Sequence, residues 1–253
     1  MSGPVLAGVD GCPGGWIAAI EDAAGIRTQA FARFADLAEA LGDHALVAVD
    51  MPIGLPDHCR GGRGPEQLVR PLLGQRQSSV FSIPSREAVY ACTDAEAAAD
   101  WYGAHRRCCE MARKTSTPPR AVAIQGFGLF RKIRELDAWL REGEGRSDRV
   151  VEAHPELAFW RLNGRRPLSQ PKKVKGAPYG SGLDERAALL AAAGLAPRLL
   201  ETLPAPALGA ARDDLLDACA VLTVARRLMA GTLESFPPDP PRDRFGLPIA
   251  IHV

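Results

Sequence analysis

The sequence predicts an α/β fold, a mixed sheet that opens with an antiparallel meander, continues in parallel strands and is flanked by helices. Three observations carry that prediction. Two short apolar runs, residues 5–9 and 16–20, bracket the Gly/Pro-rich break DGCPGG, which reads as a hairpin. A segment with helical spacing, FADLAEAL at 34–41, then leads into a third continuous apolar run, ALVAV at 45–49. Acids stand at the ends of those runs, Asp10 after the first and Asp50 after the third.

Between the hairpin and the helix, GIRTQAF at 25–31 supplies a third strand, and Gly42 is a good helix stop. A strand reached through a helix is expected to lie parallel to the first strand and beside it. Asp10 and Asp50 then become neighbours at the carboxyl edge of the sheet, where α/β proteins usually place their sites. Residues 51–149 read as a mainly helical insertion within a single domain spanning 1–253. The insertion starts irregularly, because Pro52, Gly54 and Pro56 oppose a helix. A helix is predicted over 93–117, with acids early and bases late, and another toward Leu140.

The next acid-bearing strand end falls in RVVEAHPELAF at 149–159, where Glu152 and His154 alternate onto one face and Pro155 stops the strand. The Pro/Gly/Lys-rich stretch 163–182 has the composition of a mobile loop, and LDERAALLAAAG a short helix. A long apolar helix over 211–229 carries Asp213, Asp214 and Asp217 in its first turns. Asp214 and Asp217 are three apart and share a face, so they are expected to point at the sheet while Asp213 caps the helix. The apolar end, 247–253, is expected to add an edge strand or pack over the core.

Composition narrows the function. With 253 residues and 46% hydrophobic content, the chain can bury a sizeable core. A net charge of +1 excludes a polybasic nucleic-acid binder, so any such contact is a local patch. No apolar run spans a bilayer and no secretory leader is evident, so a cytoplasmic protein with no membrane partner is expected. The six cysteines form no CxxC pair and read as reduced thiols.

Asp10, Asp50, Glu152, Asp214 and Asp217 together make a cluster of carboxylates that needs a counter-ion, since like charges raise one another's pKa. An all-oxygen set suits Mg²⁺ or Mn²⁺. Such ions activate water and stabilise the leaving oxygen in a phosphoryl displacement. His154 would stand behind the ligands or assist proton transfer. Arg60, Arg63 and Arg76, in the loop that leaves Asp50, and Lys172 and Lys173 are candidate phosphate-binding residues, against the plain alternative of a solvated loop.

The motifs GVDGCPGGW, AVDMPIGLP, QSSVFSIPSR, EAHPELAFWRLNG and DDLLDA resemble an uncharacterised bacterial and archaeal family, domain of unknown function 429, of predicted RNase H-like nucleases. DDLLDA also resembles the last metal-binding helix of Holliday-junction resolvases. The resemblance implies an RNase H-like fold, a nuclease activity and a metal site at Asp10, Asp50, Glu152 and Asp214 or Asp217. One stretch departs from the family pattern: GPEQLVRPLLG stands where an acid followed by Ala-Arg is expected. The leading expectation is a metal-dependent nuclease or phosphodiesterase acting on nucleic acid or a nucleotide. Three alternatives stand beside it: a non-catalytic nucleic-acid or ligand-binding module, an ATP-binding enzyme of the actin and sugar-kinase type, and a thiol chemistry at Cys12.

Overall fold

The computed structural model describes residues 3–253. Its central sheet has five strands: β1 (Leu6–Cys12), β2 (Gly15–Asp22), β3 (Gly25–Phe31), β4 (Leu46–Val49) and β5 (Val150–Glu152). Their order across the sheet is β3-β2-β1-β4-β5. The first three form the expected antiparallel meander, and β4 and β5 extend it in parallel with β1. Helix α1 (Phe34–Leu41) makes the crossover to β4, burying Phe34, Leu37 and Leu41 on one stripe.

Strand alternation divides the core into two layers. Ala7, Val9, Trp16, Ala18, Ile20, Val47 and Val49 face α1 and the helices of the 51–149 segment. The main ones are α2 (Trp101–Lys114) and α3 (Phe130–Arg141). Leu6, Ile17, Ala19, Ala48 and Val151 face the other side. There they meet α4 (Pro155–Leu162), α5 (Gly180–Ala192) and α6 (Arg212–Met229). Helix α6 lies directly across β1, and Gly8 is what lets it approach. A Cβ on Gly8 would fall 2.1 Å from Leu222 N and 2.2 Å from Ala218 O, both backbone atoms that cannot yield.

The helix expected over 93–117 is split at Asp100 into Asp94–Ala99 and α2, because the Asp100 carboxylate accepts from Gly103 N at 2.8 Å and starts a new helix. The strand expected to run up to Pro155 ends at Glu152, and Pro155 opens α4, a position that suits proline. The lysine-rich loop holds a small hairpin, Lys173–Val174 with Ala177–Pro178. The C-terminal end pairs Ile251–His252 with Ser235–Phe236, and His252 bridges to Ala153 beside β5. Among the described residues, no helix is long and apolar enough to cross a membrane.

Candidate active site at the carboxyl end of the sheet

Val9 and Val49 pair in the parallel ladder, so the residues that follow them emerge side by side. Asp50 N donates to Val9 O at 2.8 Å and continues the ladder one step further. By the pleat, Asp10 and Asp50 turn toward the α6 side, the side that Gly8 and Ala48 face. Asp217 of α6, 1% exposed, is near enough for its charge to act on both, and Lys172 donates to its Oδ2. Burial first, then the charges of Asp50 and Asp217, push Asp10 well above the ordinary carboxylate range. Burial and Asp217 push Asp50 up to about 7. Burial opposes the charge on Lys172, but Asp217 and Asp10 outweigh it and hold the ammonium firmly protonated.

Glu152 borders the same cavity as these acids, but its carboxylate is engaged elsewhere. Val9, Val49 and Glu152 occupy one row of the ladder, one residue short of Asp10 and Asp50. A shift of one residue in a strand reverses the face. Glu152 therefore turns to the opposite side, where both its oxygens accept from Arg63 and one also accepts from Ile53 N at 2.7 Å. Arg63 is wholly buried between Glu152 and Glu66, and its Nε donates to Glu66 at 2.9 Å. It is an internal clamp holding the start of the 51–149 segment to β5, not the solvent-facing phosphate ligand that the arginine-rich loop suggested. Burial raises Glu152 to about 7 even with Arg63 beside it.

The first turn of α6 also reverses expectation. Asp214 caps, its Oδ2 accepting from Ala211 N at 2.9 Å. Asp213 is the buried one, 1% exposed, with Lys173 Nζ 2.7 Å from its Oδ2. Asp213 and Asp217 are four apart and share the inward face, while Asp214 is rotated about 100° from Asp213 and about 60° from Asp217. The helix starts at Arg212, and that phase decides which acid caps.

A cavity of ≈ 160 Å³ opens beside Asp10 and Asp50 and is also lined by Lys132, His154, Glu66 and Glu152, the last two held by Arg63. His154 has a buried Nδ1 without a partner, and burial lowers its pKa, so the ring is neutral. Arg60, Arg63 and Arg76 do not line this cavity. Arg60 is exposed on a short strand, Cys59–Arg60, that pairs with Ser116–Thr117, and Arg76 contacts its neighbour Gln75 at 3.5 Å. Sequence reasoning missed Lys132, whose ammonium lies 5.2 Å from the Trp16 ring. Its signal was a lysine on the apolar stripe between Leu129 and Leu136. Cys12 is buried, its thiol faces Leu208 O at 3.8 Å and burial raises its pKa, which is the wrong direction for a nucleophile.

The donor set fits a hard divalent cation in its chemistry. Asp10, Asp50 and Asp217 offer only oxygens, and Asp217 Oδ1 is buried with no hydrogen-bond partner. The fit is one of composition rather than of a finished cage. Among the described residues, no three His, Cys, Asp or Glu side chains stand ready as a metal-holding group.

These features define a mixed α/β protein with a carboxylate cluster at the carboxyl end of a five-stranded sheet. The chain belongs to the family described as "Protein of unknown function (DUF429)", which it matches over residues 8–242. No curated protein and no solved structure matches it.

Proposed function

We propose that this protein is a divalent-metal-dependent phosphodiester hydrolase with an RNase H-like core, acting on nucleic acid or a nucleotide. The observation that carries the proposal is the meeting of Asp10, Asp50 and Asp217 from three separate chain segments, with less positive charge than the three acids require. Burying like charges without compensation is costly, and a fold retains such a cluster where a cation serves it. The meander followed by parallel strands is the order expected of an RNase H-like core, which supports the fold assignment.

Asp10, Asp50 and Asp217 would hold Mg²⁺ or Mn²⁺, with Asp214 at the rim. An ion held there would supply Lewis acidity for the attacking water and positive charge for the phosphate. The protein's own groups do the rest. His154, neutral and with a free buried Nδ1, accepts the proton of the attacking water. The water oxygen bonds to phosphorus, the ester P–O bond breaks, and the leaving oxygen takes a proton from solvent. Lys132 at the cavity wall contributes positive charge toward the phosphate. The cavity is well below the roughly 300–1,000 Å³ of enclosed small-molecule sites, which favours a substrate that presents one phosphate to the sheet edge.

The test is hydrolysis of single-stranded and duplex DNA and RNA oligonucleotides and of an activated phosphodiester in millimolar Mn²⁺ or Mg²⁺. Wild type should cleave at least one of them, and Asp10→Asn should lose about a hundredfold or more while keeping its fold. Equal rates in both proteins, or no cleavage of any substrate, would overturn the proposal.

A further inference from the structure

We propose that Lys172 is an exchangeable counter-ion: its ammonium occupies the acid cluster when no divalent cation is bound, and a divalent cation enters by displacing it. This rests on the metal-dependent reading above and concerns how the same site is regulated.

Lys172 donates to Asp217 Oδ2 and is attracted also by Asp10 and Asp213. It uses only one oxygen of Asp217, leaving Oδ1 buried and unpartnered. A single positive charge facing Asp10, Asp50 and Asp217 leaves the cluster under-compensated, and a divalent ion reaching the same oxygens compensates it better. The ammonium and the metal need the same carboxylates, so they exclude one another.

The loop is built so that the side chain can leave while the backbone stays. Lys172 O accepts from Tyr179 N at 2.9 Å. Ser169 N and Gln170 N both donate to the Glu185 carboxylate at 3.0 Å. Pro171 O presses so close to Gly182 that a Cβ there would fall 1.8 Å from it. The Lys172 side chain is 33% exposed, so it has an open path outward and needs only a change of rotamer. Lys173 is engaged separately, with Asp213, and remains in place. The arrangement keeps the metal-free cluster folded and sets a threshold concentration for metal entry.

The experiment is calorimetric titration of Mn²⁺ into the full-length wild type and Lys172→Ala, with metal-free melting temperatures measured in parallel. Lys172→Ala should bind Mn²⁺ about tenfold more tightly, because the competing ammonium is gone. Its metal-free form should melt lower than wild type. If wild type binds Mn²⁺ and Lys172→Ala binds no tighter, the counter-ion proposal falls and the metal site stands. If neither binds, both fall. Amine acetylation of wild type, read by mass spectrometry, decides the matter should the variant not fold. Saturating Mn²⁺ should raise labelling of Lys172 several-fold and leave exposed Lys175 unchanged. Unchanged labelling of Lys172 with Mn²⁺ bound would overturn the proposal.

Discussion

Replacing Asp50 with asparagine should make the metal-free protein more stable while removing its response to metal. Asp50 rises from its ordinary 3.8 to about 7 through burial and the charge of Asp217. Between those two pH values the folded protein binds a proton that the unfolded chain does not. Stability therefore falls as pH rises through that window, and the full penalty is present above pH 7. The span from 3.8 to about 7, at ~1.4 kcal/mol per pH unit, sets a ceiling of about 4 kcal/mol. Burial of the amide takes back part of the gain, leaving about 2–4 kcal/mol. For a chain of this size that is a rise in Tm of roughly 5–15 °C at pH 8. The gain should shrink on acidification and vanish near pH 4, where the unfolded chain's own aspartates become protonated. Mn²⁺ should raise the Tm of wild type at pH 8 and leave Asp50→Asn where it is. Thermal denaturation from pH 4 to 8, followed by circular dichroism, gives the whole profile. A variant no more stable than wild type at pH 8, or a gain independent of pH, would refute the electrostatic reasoning.

Other substitutions separate the structural acids from the functional ones. Arg63→Ala leaves Glu152 and Glu66 buried without their cation and should cost about 3–5 kcal/mol in thermal or urea denaturation. Adding Glu152→Gln to that variant should restore part of the loss. Glu152→Gln alone should leave Mn²⁺ affinity within about threefold of wild type by calorimetry, because Arg63 already occupies both carboxylate oxygens. Asp214→Ala should cost about 1 kcal/mol of stability through loss of the helix cap. Gly8→Ala drives a methyl into the backbone of α6 and should destabilise by about 3 kcal/mol or more, visible as a large drop in urea midpoint.

The sheet and its first two acids were legible because their signals are local. An apolar run that stops on an acid marks the carboxyl end of a buried strand, and the crossover rule then places Asp10 beside Asp50, although β1 itself runs two residues past Asp10, to Cys12. Glu152 was not legible, since its run VVE ends on an acid in the same way. The difference is one rung of ladder register, fixed by the pairing of Val49 with Glu152 rather than with Val151. The same kind of shift misassigned α6. Three acids within five residues fit two helix phases, and the start at Arg212 chose the one that buries Asp213 and frees Asp214 to cap. Arg63 read as a loop arginine because its partners, Glu66 nearby and Glu152 far along the chain, meet it only in the folded protein. Lys172 was read from the sequence as a phosphate ligand, but its partner Asp217 is 45 residues away, so an ion pair between them had no local signature.

The most direct test of the central claim is a calorimetric titration of Mn²⁺ into wild type and Asp217→Asn at pH 8, where the cluster is most fully charged. Wild type should bind with a clear heat signal, and Asp217→Asn should lose that binding while melting cooperatively. Absence of binding in wild type, or undiminished binding in Asp217→Asn, would contradict the assignment of Asp10, Asp50 and Asp217 as a metal centre.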